Sequence, residues 1–268
     1  MIPAIVSEYR KFFSTRMWWI LTLCMAVFFV AVSFGMAWLF AYQATHNGLS
    51  DSMLQALQPT VYGLGPSMGY IIPVIIGAFA VTSEYRHNTI VPTFLAEPRR
   101  WVVMLAKVVA GVPMGVAVGI AGTLACLVGG GLGFTTGGVD PMLWTSTMWT
   151  NFALSILAYV IWALIGVGLG MLITSQVGVI ITVLAFTQLI EPLANIALNQ
   201  FAGASVLAKF LPAAASGSVT GGTDIYAMMS MTGTDGALGV WQGAAVLAAY
   251  GIVFGVLGYV LRIRRDVS

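Results

Sequence analysis

Apolar residues in this sequence run on for about 20 positions at a time, with polar residues gathered in the gaps between runs, a pattern that suits membrane-crossing helices. A hydrocarbon layer about 30 Å thick takes about 20 helical residues to cross. The pattern predicts an all-α, polytopic membrane protein forming one transmembrane domain over 1–268, with six transmembrane helices over about 17–41, 61–84, 101–132, 150–173, 177–198 and 241–261. The second is the weakest, because its apolar heart, Met68–Val81, is too short alone. It reaches full length only by starting near Val61 or continuing past Val81, and as a re-entrant piece it would leave five crossings.

Two shorter apolar patterns flank these runs. Ahead of the first, Ile5, Val6, Tyr9, Phe12 and Phe13 recur at helical spacing among Glu8, Arg10 and Lys11, which predicts a membrane-surface helix over 3–16 with Pro3 at its start. After the fifth, Phe201–Phe210 and Ala213–Val219 are too short to cross and are separated by Leu211-Pro212, predicting a re-entrant outer segment over about 200–220.

Charge fixes an expected orientation. With the N-terminus in the cytoplasm, Arg10, Lys11, Arg16, Arg86, Arg99, Arg100, Lys107, Arg262, Arg264 and Arg265 all fall inside and only Lys209 outside, whereas Asp51, Asp140, Asp224 and Asp235 fall in outer loops. Both chain ends are then cytoplasmic, which requires an even number of crossings. The short connection Thr174–Gln176 makes the fourth and fifth spans a tight hairpin.

Composition narrows the function. Hydrophobic residues make up 59% of the 268 positions and charged residues 7%, too few to clothe a soluble enzyme. A net charge of +2 with no basic, aromatic-interleaved stripe leaves no footprint for nucleic acid. His46 and His87 lie on opposite sides of the predicted membrane, and Cys24 and Cys126 sit in apolar runs, so no metal set forms. None of Lys11, Lys107 and Lys209 precedes Ser or Thr, so the phosphate-binding loop of an ATPase is missing and no catalytic residue is expected. Gly111, Gly115, Gly119, Gly166 and Gly170 follow small-x-x-x-small spacing, which suits close helix packing.

The one loop that is both charged and aromatic is Glu84–Arg100. It predicts a short helix over Thr89–Ala96, stopped by Pro98, that presents Phe94 and Leu95 beside ionic flanks and could dock a partner; otherwise the loop is only a basic determinant of topology. Glu84, at the edge of hydrocarbon, needs a cation, with Arg86, His87 and Lys107 the candidates. Glu191, beside Pro192 in the fifth span, is either a hydrated break at the interface or a gate or pathway residue.

Several of these motifs carry a resemblance. Glu8-Tyr9-Arg10-Lys11 leading into the first span, Thr82-Ser83-Glu84-Tyr85 followed by Asn88-Thr89-Ile90, and Pro98-Arg99-Arg100 with Lys107 leading into the third together resemble the permease subunits of ABC-2 type (type V exporter) ABC transporters. The bacterial bacitracin, lantibiotic and multidrug export permeases are particularly similar; Asn88 stands where many of them have Gly. The resemblance implies a multi-pass permease of the bacterial cytoplasmic membrane that works as a dimer with a second permease copy or homologue. Separate nucleotide-binding ATPase subunits would hold ATP and Mg, and no cofactor would reside in this chain. It further implies that the surface helix with Glu8, Tyr9, Arg10 and Lys11 is the interfacial connecting helix. Glu84, Arg86, Asn88, Thr89, Phe94, Leu95, Arg99 and Arg100 would form the cytoplasmic coupling helix and its flanks. The expected cargo is an amphipathic or hydrophobic compound such as a peptide antibiotic, a drug or a lipid. Rival readings are an ion-coupled secondary transporter, which would have to rely on Glu191, and a membrane scaffold that anchors a cytoplasmic partner.

Overall fold

The computed structural model describes residues 2–46, 48, 50–200, 205–220 and 238–263. Among them every regular element is a helix. Five helices are long and apolar enough to cross a membrane: Met17–His46, Arg100–Thr136, Met148–Leu172, Gln176–Leu198 and Val240–Arg262. The chain therefore has the character of a multi-pass membrane protein. Its outward faces support this, since Leu23, Val27 and Phe28, then Val177 and Ile181, then Ile252 and Val256 are all exposed, a polarity suited to lipid rather than water.

Helix α1 (Ile2–Ser14) precedes α2 (Met17–His46), the first long helix. The segment expected to be a single second span is broken into three pieces. Helix α3 (Asp51–Tyr62), N-capped by Ser50, stops at Gly63; α4 (Leu64–Met68) stops at Gly69; α5 (Ile71–Arg86) then runs for 16 residues. At 1.5 Å per residue α5 covers only about 24 Å, less than the hydrocarbon thickness. The break at Gly69 has a packing reason, because a Cβ there would meet the ring of Phe29 and the carbonyl of Gly65. Tyr62 donates to the Pro141 carbonyl at 2.7 Å and Gln58 to that of Asp140 at 2.8 Å, fastening α3 to the loop beyond the next long helix.

Seven-residue α6 (Ile90–Ala96) leads to α7 (Arg100–Thr136), which is followed by α8 (Ser146–Leu172). Helix α9 (Gln176–Ala185) passes through a π turn at Phe186–Ile190 into α10 (Glu191–Gln200). Two short helices, α11 (Ser205–Ala208) and α12 (Pro212–Thr220), come before α13 (Val240–Gly258), whose last turn, Tyr259–Ile263, is again π. The expected outer segment is thus helical where described, although Phe201 lies outside the described residues, as do Asp224, Asp235, Arg264 and Arg265.

Helices α7 and α8 form the centre, 56% and 61% buried over their most apolar stretches, against 17–28% for the other three long helices. Glycine permits this density. The α5–α8 contact is a backbone-to-backbone approach in which a Cβ on Gly77 would collide with the Ala163 carbonyl and one on Gly166 with that of Val74. On the other side of α7, a Cβ on Gly133 would lie 2.5 Å from the Phe34 carbonyl of α2.

Candidate functional site

Charge concentrates where α1, the end of α5 and the start of α7 meet. Lys107 lies seven residues into α7, about 10 Å along an otherwise apolar stretch, and is fully buried. A buried ammonium is tolerated only when its hydrogens and its charge are answered. Lys107 Nζ donates to Glu8 Oε2 at 2.7 Å and to the Ala80 carbonyl at 3.0 Å, and it lies 2.9 Å from Glu84 Oε1. Three N–H groups thus meet three acceptors on two other helices.

A second lysine closes the figure. Lys11 Nζ donates to Glu8 Oε1 at 2.7 Å and to Glu84 Oε1 at 2.6 Å. Glu8, Lys107, Glu84 and Lys11 therefore alternate in sign around a four-membered ring with no net charge. The carboxylates are turned inward, their side chains 6% and 5% exposed, whereas Lys11 is 40% exposed and reaches toward solvent. Burial lowers the affinity of Lys11 for its proton, but the hydrogen bonds and charges of Glu8 and Glu84 outweigh it, so the pKa rises above the ordinary 10.5. Glu84 Oε2 is buried without a hydrogen-bond partner, a cost the two ion pairs at Oε1 offset.

Local sequence explains how these groups meet. On α1 the three-residue spacing of Glu8 and Lys11 puts both on one face. Helix α5 ends at Arg86, and Asn88 takes a left-handed conformation (φ 55°) that turns the chain into α6. The Thr89 N–H donates to the Glu84 main-chain carbonyl at 2.9 Å. Glu84 therefore serves the ring with its side chain and the start of α6 with its backbone.

Other expected site residues lie around this joint without entering it. Arg86 donates to Gln176 Oε1 at 2.7 Å, tying α5 to the first residue of α9. On α6, Phe94 packs toward Val81, Val103, Met104, Val167 and Met171, and the Arg100 guanidinium lies 5.5 Å from its ring centre. Leu95 points away and is 78% exposed, with Val91 also exposed. Arg99 is exposed, and its N–H donates to Glu97 Oε1 at 3.3 Å. On α1, Tyr9 is half-buried and Arg10 exposed. Of the three cations considered for Glu84, the structure selects Lys107; Arg86 turns to Gln176, and His87 is exposed beyond the helix end.

Glu191 is remote from this joint. It opens α10 immediately after the π turn, is 4% exposed, and accepts a 2.5 Å hydrogen bond from the Ala213 N–H in the first turn of α12. Of the two readings open for Glu191, this placement corrects the hydrated carboxylate at a helix break: the side chain is buried and bonded across to another helix, where a negative charge suits the helix start.

Sequence reasoning offered Lys107 to Glu84 but missed Lys11 as a second cation for it and Glu8 as the acid both lysines share. A lysine inside an apolar run was the available signal, since it demands acidic partners, and Glu8, Glu84 and Glu97 are the acids at that end. Two clefts flank the ring. One of about 430 Å³ separates α1 from α6, with Ser7, Glu8, Thr93 and Ala96 on its walls. The other, about 530 Å³, opens between the α1–α2 corner and α5, with Phe12, Trp18, Leu21, Phe79 and Arg86 among its walls. Among the described residues no cluster of His, Cys, Asp and Glu could hold a metal ion. No protein-family model matches the chain, and a search of curated proteins finds no match.

Proposed function

We propose that this chain is the membrane-spanning permease subunit of an ATP-driven exporter and that the ionic joint transmits motion between a partner ATPase and the helix bundle. The observation that carries the reading is the coupling of an exposed apolar ridge to a buried charge ring. Leu95 and Val91 face outward on α6, whose N-cap residue Thr89 is bonded to the carbonyl of the same Glu84 that holds α1 and α7 together. A partner that pushes on α6 acts on three helices at once.

In this reading α1 is the interfacial helix and α6 the coupling helix, docked by separate nucleotide-binding subunits that hold ATP and Mg. Both chain ends face the cytoplasm of a bacterium. Helices α4 and α5 together provide a sixth crossing in the inner membrane, since Leu64–Arg86 has the required length once the break at Gly69 is included. A second permease copy completes the pathway, and the scarcity of formal charge in the spans suits an amphipathic or hydrophobic cargo.

The test is affinity purification of the chain with its native membrane partners in mild detergent, with stoichiometric subunits identified by mass spectrometry. An ATPase subunit is expected in the wild-type complex. It should be lost from Leu95→Glu and from the charge-reversed Arg99→Glu/Arg100→Glu variant, both of which should still fold. Recovery of intact chain with no ATPase refutes the reading.

A further inference from the structure

The cleft between the α1–α2 corner and α5 has a chemistry that the proposed transport function leaves unused. Its polar groups are sorted by direction. Glu8 with both oxygens and Glu84 with Oε1 pair inward with the two lysines, and the remaining Glu84 Oε2 is buried, whereas the charged groups at the mouth are donors. Lys11 uses two of its three ammonium hydrogens in the ring and is 40% exposed. Arg86 uses one terminal nitrogen on Gln176 and is exposed, and His87 stands exposed beside it. With Lys107 directly behind the wall, the fixed charges of Glu8, Lys11, Glu84, Arg86 and Lys107 sum to +1.

Below this mouth the walls turn apolar. Leu21, Phe79 and Met114 line the depth, and Ile76 lies ten residues before Arg86 on α5. Ten helical residues span about 15 Å, half of a hydrocarbon core about 30 Å thick. The cleft thus runs the depth of one leaflet, with donors at its head and hydrocarbon-like walls beneath.

We infer that this cleft seats one anionic phospholipid of the adjacent leaflet, its phosphate held by Lys11, Arg86 and His87 and an acyl chain lying between α2 and α5. A zwitterionic lipid adds a cationic headgroup, which the exposed Lys11 and Arg86 at the mouth repel while Glu8 and Glu84 lie buried behind them. Free phosphate would use the mouth alone and leave the apolar depth empty. The inference depends on the chain spanning a membrane and not on the transport reading.

The experiment is a titration of the full-length protein in detergent micelles, following thermal unfolding while short-chain phosphatidylglycerol, short-chain phosphatidylcholine or glycerol phosphate is added. Phosphatidylglycerol is expected to raise the unfolding temperature saturably and to bind at least about tenfold more tightly than phosphatidylcholine, as a charge-assisted contact would produce. Arg86→Gln should weaken it by a similar factor. Leu21→Trp, which fills the depth and leaves the ring intact, should abolish it, whereas Lys209→Gln, the same charge lost elsewhere, should change nothing. Native mass spectrometry of each variant checks that it is folded and counts the lipid retained. Equal binding of the two lipids, or unchanged binding in both Arg86→Gln and Leu21→Trp, overturns the inference. Glycerol phosphate binding as tightly as phosphatidylglycerol also overturns it, leaving an anion site in place of a lipid site.

Discussion

Replacing Lys107 by methionine isolates the energetics of the ionic joint. The substitution keeps the length of the stem and removes an ammonium that is 0% exposed and holds Glu8 at 2.7 Å, Glu84 at 2.9 Å and the Ala80 carbonyl at 3.0 Å. Two buried carboxylates are then left to share Lys11, and the ring changes from neutral to one net negative charge. Removing one member of a buried ion pair costs about 3–5 kcal/mol, most of it the penalty on the charge left behind. Glu8→Gln combined with Lys107→Met removes one charge of each sign and leaves the Lys11–Glu84 pair at 2.6 Å intact. That double variant should be less destabilised than the two single losses added together, by a coupling of about 2–3 kcal/mol. Equilibrium unfolding in mixed micelles, followed by circular dichroism, measures all four corners of the cycle. Hydrogen exchange along α1 should rise in Lys107→Met and not in a lipid-face control such as Val27→Leu. A loss below about 1 kcal/mol in Lys107→Met, or simple addition of the single losses, would falsify the view that the ring acts as one unit.

Three further outcomes follow from the same geometry. Because the pKa of Lys11 is raised above its ordinary 10.5, its contribution is full below that value and is lost as pH climbs through the folded pKa. Stability should therefore fall on the alkaline side above pH 10.5, and Lys11→Gln should flatten that limb; identical alkaline profiles would contradict the assignment. Glu191→Ala removes the acceptor of the Ala213 N–H and should cost about 1–3 kcal/mol, while Glu191→Gln keeps an oxygen there and should cost about 1 kcal/mol or less. Equal losses in the two would separate Glu191 from the start of α12. Gly166→Ala drives a Cβ into the Val74 carbonyl and should destabilise by about 1–3 kcal/mol or more. Gly35→Ala, with nothing within 4 Å, should be neutral or stabilising by up to about 1 kcal/mol.

Legibility in the sequence follows the range of the force involved. The five long helices are visible as apolar runs, because a membrane sets their length whatever they pack against. Helix α1 shows in its own periodicity, and α6, at Ile90–Ala96, lies within a residue of the segment marked by Thr89 and Pro98. The break of the second segment at Gly63 and Gly69 is not visible, since it depends on Phe29 of α2 and on the latch from Tyr62 to Pro141. Nor is the ring, two of whose four pairs join residues 73 and 99 positions apart: Lys11 beside a predicted interface reads as a solvated cation until α5 is known to pass within 2.6 Å. The contact that Glu191 makes with α12 is hidden for a similar reason. Its partner is a backbone N–H on a helix 22 residues away, which no side-chain pattern records.

The arrangement of bonds around Glu84 says where an applied force would go on the proposed reading. Helix α6 connects to α5 through His87, Asn88 and its N-cap residue Thr89, whose N–H donates to the Glu84 carbonyl at 2.9 Å. The other end of α6 rests on α7 through Phe94 and Arg100. A push on Leu95 therefore loads α5 and α7 together, at the level where Lys107 already binds α7 to both carboxylates. Those two helices have little slack against α8, because Gly77 and Gly166 on one side and Gly115 on the other bring backbones too close for a Cβ. Packed interfaces of this kind do not deform gradually. The load should pass instead to the elements held less tightly, and α9 is the first of these. It opens the Gln176–Leu198 span, of whose most apolar stretch only 22% is buried, its N-terminus is tied to α5 by the Arg86–Gln176 hydrogen bond, and it ends at the π turn Phe186–Ile190. If α6 drives a conformational change, the displacement should appear first in α9 and α10, with Glu191 carrying it on to α12.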